Sequence, residues 1–340
     1  MRSALKRYDS GKNIPSRPAS YGRTMADATR YTKTQLRQYF DRISLPESLR
    51  VYDVTPLSPQ EKLGYLGLLQ KQSLSTIPFE NLSLHYSPHR HISLDPDELF
   101  QKQVLTQGRG GYCMENNLVH NIVLRSLGYR VYSAGARVKG GPDAPYNGWS
   151  HMVNLVTTDE AHKSPEKYLV DVGFGPNGCT QPLRLDRNAC DTTAIQISPA
   201  EMRLVWKNVD GNTDPNQRLW VYQHRISNDQ PWLDMYCFTE LEFLPQDYEL
   251  MNYWTSTSPK VWFTQKVICA KMVIDSPETS ELVGVMILQD DLKLRIHGKT
   301  ESQQTFKDEE DRVAALDRVF GINLSKPERA AIKGLVTEIK

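Results

Sequence analysis

Apolar positions along the chain change period twice. Leu118, Val119, Ile122, Val123 and Leu127 fall on one helix face, and Gly128 follows where a C-terminal cap belongs. Upstream, Ser58-Pro59-Gln60-Glu61 is a capping box with proline at the first helical position, predicting a helix from Pro59 to about Gln72. Asp95-Pro96-Asp97-Glu98 repeats the device and predicts a shorter helix through Val104. Beyond Gly128 the pattern becomes that of strands. Segments 129–136, 150–156 and 168–174 are short, rich in β-branched or aromatic residues, and separated by turn chemistry such as KGGPDAPYNG. Further strands are predicted at 218–227, 235–243, 263–274, 282–288 and 292–297. The tail returns to helix, with Val313, Leu316, Val319 and Phe320 on one face and a third capping box at Ser325-Lys326-Pro327-Glu328. Helices first, strands in the middle and mixed structure at the end predict an α+β fold.

Composition narrows the function classes. A formal net charge of +1 over 340 residues leaves no electrostatic footprint for nucleic acid or an anionic membrane. No apolar run approaches the roughly 20 residues that span a bilayer. The five cysteines (Cys113, Cys179, Cys190, Cys237, Cys269) are scattered without a CxxC pair. That argues against a zinc cage or disulfide scaffold and for a reducing compartment, so a cytoplasmic protein is expected. Residues 1–24 are basic and acid-poor without a secretory apolar stretch; they read as a disordered extension ahead of Met25 rather than a transit segment.

The segment GRGGYCMENN at 108–117 sets three glycines around Arg109, immediately before Cys113. Such backbone freedom suits a sharp turn feeding a helix, with the thiol in its first turn. A helix N-terminus and an adjacent imidazolium both favour a nucleophilic thiolate. His151, in GWSHMVNLV, lies on a predicted strand, and Asp171, in KYLVDVGFG, on the next. An acid inside an apolar strand must find a partner, and adjacent strands can bring it beside the histidine. From the residues alone two readings stand: a Cys–His–Asp nucleophile system, or a small buried thiol and a satisfied core histidine. His85, His89 and His91 surround Pro88 without acidic or thiol partners and read as a surface turn, so no metal site is expected.

The segments IPFENL (77–82), RGGYC (109–113), SHM (150–152) and DVGFG (171–175) resemble the signatures of the arylamine N-acetyltransferases. YFDRI (39–43), MNYWTSTSPKVWFTQKV (251–267) and RVFGINL (318–324) continue the resemblance in order. It implies a helical bundle, a β-barrel-like domain and an α/β lid around a papain-like Cys-His-Asp core. The corresponding divisions are an extension over 1–29, then 30–128, 129–240 and 241–340. It also implies Cys113, His151 and Asp171 as catalytic residues, Phe174 and Gly175 at the acceptor pocket, and Thr257 and Ser258 meeting coenzyme A. Arg109 would pair with Glu80 as a scaffold contact. The implied activity is ping-pong transfer, acetyl first among acyl groups, from an acyl-CoA to an aromatic amine or hydrazine, including xenobiotic amines. No metal takes part in that scheme. A thiol hydrolase or transglutaminase-like enzyme could use the same three residues.

Overall fold

The computed structural model describes residues 29–158, 165–189, 192–276 and 281–340. Residues 1–24, Cys190 and most of the turn between His151 and Asp171 lie outside them. Seven α-helices are described: α1 (Lys33–Arg42), α2 (Pro59–Thr76), α3 (Pro96–Phe100), α4 (Cys113–Ser126), α5 (Pro245–Thr257), α6 (Glu309–Phe320) and α7 (Lys326–Ala331). Their starts follow local chemistry. Ser58 and Glu61 close the expected box on α2, whose Ser58 N–H donates to Glu61 Oε2 at 2.8 Å. Asp95 caps α3, which runs directly into a π-turn, Gln101–Leu105. Gly128, one residue past the α4 C-cap, takes φ +96°.

Among the described residues, thirteen strands form two antiparallel sheets. The smaller contains β1 (Phe79–Glu80), β10 (Cys269–Ile274), β11 (Leu282–Leu288), β12 (Asp291–Ile296) and β13 (Lys299–Thr305), in that spatial order. The larger comprises β2 (Arg130–Val138), β3 (His151–Thr157), β4 (Lys167–Val170), β5 (Leu183–Arg184), β6 (Ala194–Ile195), β7 (Glu201–Lys207), β8 (Leu219–Arg225) and β9 (Leu233–Glu242). Its order is β5-β4-β3-β2-β9-β8-β7-β6. The sheet curls: the Tyr222 hydroxyl on β8 reaches across to the carbonyl of Asn177, beyond β4, at 3.0 Å. Its interior holds Leu155, Leu169, Leu204, Trp220 and Phe238. Among the described residues the end strands β5 and β6 do not pair, so this is a curled open sheet. The mixed helix-and-sheet architecture matches the α+β expectation.

All seven residues of β3 are buried, because α4 covers one face and the curled sheet the other. A second cluster joins Phe79, Tyr112, Cys113, Met152, Tyr248, Met251 and Ala270, drawing α4, α5 and both sheets together around the thiol. Three expectations need correction. The strand expected through Phe174 stops at Val170, so Asp171 opens a turn. The strand expected from Phe263 begins at Cys269, after a single 3-10 turn. His89 and His91 are exposed as expected, but His85 is buried and bound through Nε2 to the Phe263 carbonyl at 3.0 Å.

Candidate active site

Cys113 is the first residue of α4 and is 3% exposed. The glycine loop before it is required by contact: a Cβ on Gly110 would sit 1.9 Å from the Pro78 carbonyl oxygen. The loop is pinned by charge. Arg109 Nε lies 3.1 Å from Glu80 Oε1, as expected, and Lys102 Nζ lies 2.7 Å from Glu115 Oε1 and 3.6 Å from Glu80. Burial resists ionisation of Glu80, but Arg109 and then Lys102 hold its carboxyl well below the usual range. Glu115 also reaches back to the Tyr112 N–H at 2.9 Å, fixing the helix entrance.

His151 and Asp171 are both fully interior, and His151 Nε2 lies 2.8 Å from Asp171 Oδ2. Burial alone would lower the imidazole pKa; the Asp171 charge, their hydrogen bond and a hydrogen bond with Cys113 raise it to about 10. With Nε2 taken by Asp171, Nδ1 is the ring nitrogen left to interact with Cys113. Burial pushes Asp171 up, but the His151 charge and hydrogen bonds outweigh it and lower its pKa. The thiol also lies 3.6 Å from the Ser150 carbonyl. The three side chains singled out in the sequence therefore form one buried array.

Two supports were not anticipated. Asn117, one turn after Cys113, donates from Nδ2 to Asp171 Oδ1 at 2.8 Å and to the Met152 carbonyl at 2.7 Å. Its Oδ1 accepts the Val172 N–H at 3.0 Å. Gly173 N–H completes the Asp171 shell at 2.8 Å, and a Cβ there would lie 2.8 Å from Cys113 Cα, so the turn must be glycine to pass the helix. Asn117 was legible at i+4 from the thiol, the spacing that shares a helix face. The second is Tyr112, whose hydroxyl donates to Asn252 Oδ1 and couples the helix entrance to α5.

The remaining expected site residues separate. Phe174 turns into the curled sheet, edge-on to His151 with centroids 5.3 Å apart. Gly175 instead borders a small apolar cleft shared with Leu74, Phe79, Val172 and Met272. Thr257 ends α5, exposed, its hydroxyl donating to the Tyr253 carbonyl at 2.5 Å. Ser258 is its buried C-cap, and Ser258 Oγ lies 3.4 Å from the Lys260 N–H.

A family model described as N-acetyltransferase matches residues 62–329, a span holding all three clustered side chains. The chain belongs to the arylamine N-acetyltransferase family. Among its relatives is N-malonyltransferase FDB2 of Gibberella moniliformis, 34% identical over 329 residues, covering 89% of this chain and 92% of that protein. Arylamine N-acetyltransferase of Escherichia coli is 34% identical over 242 residues, covering 71% and 74%. The solved arylamine N-acetyltransferase of Mycobacterium marinum in complex with CoA superposes with a TM-score of 0.68 at 28% identity, covering 89% and 99%.

Proposed function

We propose that this family member transfers an acyl group from an acyl-CoA to the nitrogen of an aromatic amine or hydrazine through a thioester on Cys113. The observation that carries this reading is the buried Cys113–His151–Asp171 array at the start of α4, in a chain of this family. The Cys113 thiolate attacks the thioester carbonyl, the S–C bond to CoA breaks, and the CoA thiolate takes the proton held on His151. Backbone N–H groups at the cysteine turn meet the oxyanion. The neutral amine then attacks the acyl-cysteine, His151 removes its proton, and the Cys113 thiolate leaves. Asp171 orients the imidazole and balances its charge throughout. Thr257 and Ser258 would contact the donor and Gly175 the acceptor, with Phe174 bracing His151.

For the donor we place malonyl-CoA ahead of acetyl-CoA, supported by the near-full-length match to a protein named an N-malonyltransferase. Mixing enzyme with either acyl-CoA and no amine should release about one CoA per enzyme in a burst, then turn over slowly. Intact mass should rise by one acyl group mapped to Cys113, and an arylamine should discharge it. Fast CoA release unaffected by amine would identify a hydrolase. Intersecting double-reciprocal lines without acylated Cys113 would identify direct transfer. A kcat/KM ratio favouring acetyl-CoA would reverse the donor order.

A further inference from the structure

Behind the Cys113 helix lies a second, small cavity, with room for about one water, between α1, α2, the π-turn and α4. Its lining includes Tyr39, Ser73, Gln103, Asn116, His120 and Val172, every one of them buried. Four polar atoms on this lining have no hydrogen-bond partner among the described residues: Gln103 Nε2, Gln103 Oε1, Asn116 Oδ1 and His120 Nε2. Gln103, Asn116 and His120 are 0%, 3% and 1% exposed, so bulk water does not reach them. Buried polar groups left unpaired are costly, and an interior normally satisfies them with protein or with ordered water.

The surrounding hydrogen bonds assign the proton on His120. Ser73 Oγ donates to the Leu69 carbonyl at 2.7 Å, so it accepts from the Tyr39 hydroxyl, also at 2.7 Å. The Tyr39 oxygen then accepts from His120 Nδ1 at 3.3 Å. Nδ1 therefore carries the hydrogen and Nε2 presents a lone pair to the cavity. Burial keeps the ring neutral, its pKa lowered to about 4 although the nearby Asp171 charge opposes this. The unpaired set thus comprises one donor group, the Gln103 amide NH₂, and three acceptors. The two hydrogens of that amide could serve at most two of the three acceptors, and the side chains are placed so that none of these atoms bonds another. One water accepting from that amide and donating to His120 Nε2 and Asn116 Oδ1 would satisfy three of the four atoms, with the two or more bonds that hold an internal water.

We propose that this cavity is a built hydration site, in which ordered water joins Gln103 on the π-turn to Asn116 and His120 on the helix that begins with Cys113. The ligand is water, because a lining buried on every side admits nothing larger. The water ties α4 to the π-turn beside Pro78, whose carbonyl accepts from both Asn116 Nδ2 and the Gly111 N–H of the glycine loop. The site stands independently of the acyl-transfer chemistry.

The sign of one substitution tests it. Gln103→Met conserves volume and removes one donor group and one acceptor. If the amide were dry, it would be an unsatisfied buried group and its loss would raise Tm or leave it unchanged. With bridging water the same change lowers Tm by roughly 2–4 °C. A high-resolution crystal structure of the wild-type protein should show water within hydrogen-bond distance of His120 Nε2, and long-range ¹H–¹⁵N spectra should show the proton on Nδ1. A raised or unchanged Tm, a cavity without water density, or an Nε2–H tautomer would each overturn the proposal.

Discussion

Asn117→Ala should damage both stability and acyl transfer, although no step of the proposed reaction bonds to Asn117. The side chain makes three interior hydrogen bonds of 3.0 Å or less, to Asp171 Oδ1, the Met152 carbonyl and the Val172 N–H. Truncation strips a hydrogen bond from an ionised carboxylate, worth about 1.5–3 kcal/mol, and takes the side-chain partner from two buried backbone groups, the Met152 carbonyl and the Val172 N–H, at about 1–3 kcal/mol for each that stays unpaired. Allowing for partial relaxation, a loss of about 3–5 kcal/mol is expected, read as a shift in urea midpoint at unchanged slope. The effect on rate is a separate quantity. Asp171 Oδ1 would keep only the Gly173 N–H, so Oδ2 would no longer be held against His151. If about half of the lost carboxylate bond reappears in the barrier, Cys113 acylation slows roughly tenfold. Stopped-flow CoA release in the absence of amine measures that step alone. A variant with wild-type midpoint and acylation within twofold of wild type would refute the claim that Asn117 holds Asp171 in place.

The other expectations concern the array itself. Cys113→Ala and Cys113→Ser should each abolish acyl transfer with the fold retained by circular dichroism, and near wild-type turnover in the alanine variant would end the covalent reading. Asp171→Asn should lose activity too, since a neutral amide cannot balance an imidazolium; turnover within tenfold of wild type would contradict that. Iodoacetamide should label Cys113 before Cys179, Cys237 and Cys269, whose thiols burial pushes up, with acyl-CoA protecting it; equal labelling of the four would sink the idea. His151 is raised to about 10, so its stabilising charge is fully present below the unfolded value near 6.5 and is lost as pH climbs through about 10. Asp171 is lowered, so its contribution holds above its unfolded value and disappears on acidification. The stability gap between wild type and His151→Gln should therefore shrink between pH 6.5 and 10; a constant gap across that range would rule out a charged pair.

The elements that were legible carry their own punctuation. Capping boxes at Ser58 and Ser325 and the Asp95 cap announced three helix starts, and the apolar face after Cys113 announced α4. What escaped lacks such signals. On α5 the inward residues Tyr248, Met251, Asn252 and Thr255 are interleaved with exposed Leu250, Tyr253 and Trp254, which blurs the helical stripe. β13, KTESQQT, is exposed along its whole length and exists as the edge partner of β12. The aspartate was located by its cost, but its position beyond the strand follows from a three-dimensional condition. Only a turn with glycine at 173 lets the chain pass α4 closely enough for Asn117 to reach the carboxylate.

That condition also explains why so much charge lies beneath the cysteine loop. Glu115 at the third position of α4 satisfies an N-terminal N–H, yet a lone carboxylate there would repel a thiolate at the first position. Lys102 lies 2.7 Å from Glu115, and Arg109 lies 3.1 Å from Glu80, so two buried carboxylates meet two cations and cancel locally. The field at the sulfur is then left to the helix N-terminus and to His151, both of which favour negative charge. Burial still raises the Glu115 pKa, with Lys102 only partly offsetting it. The pair is therefore not a store of stability; it lets a capping carboxylate sit beside the proposed nucleophile without disarming it.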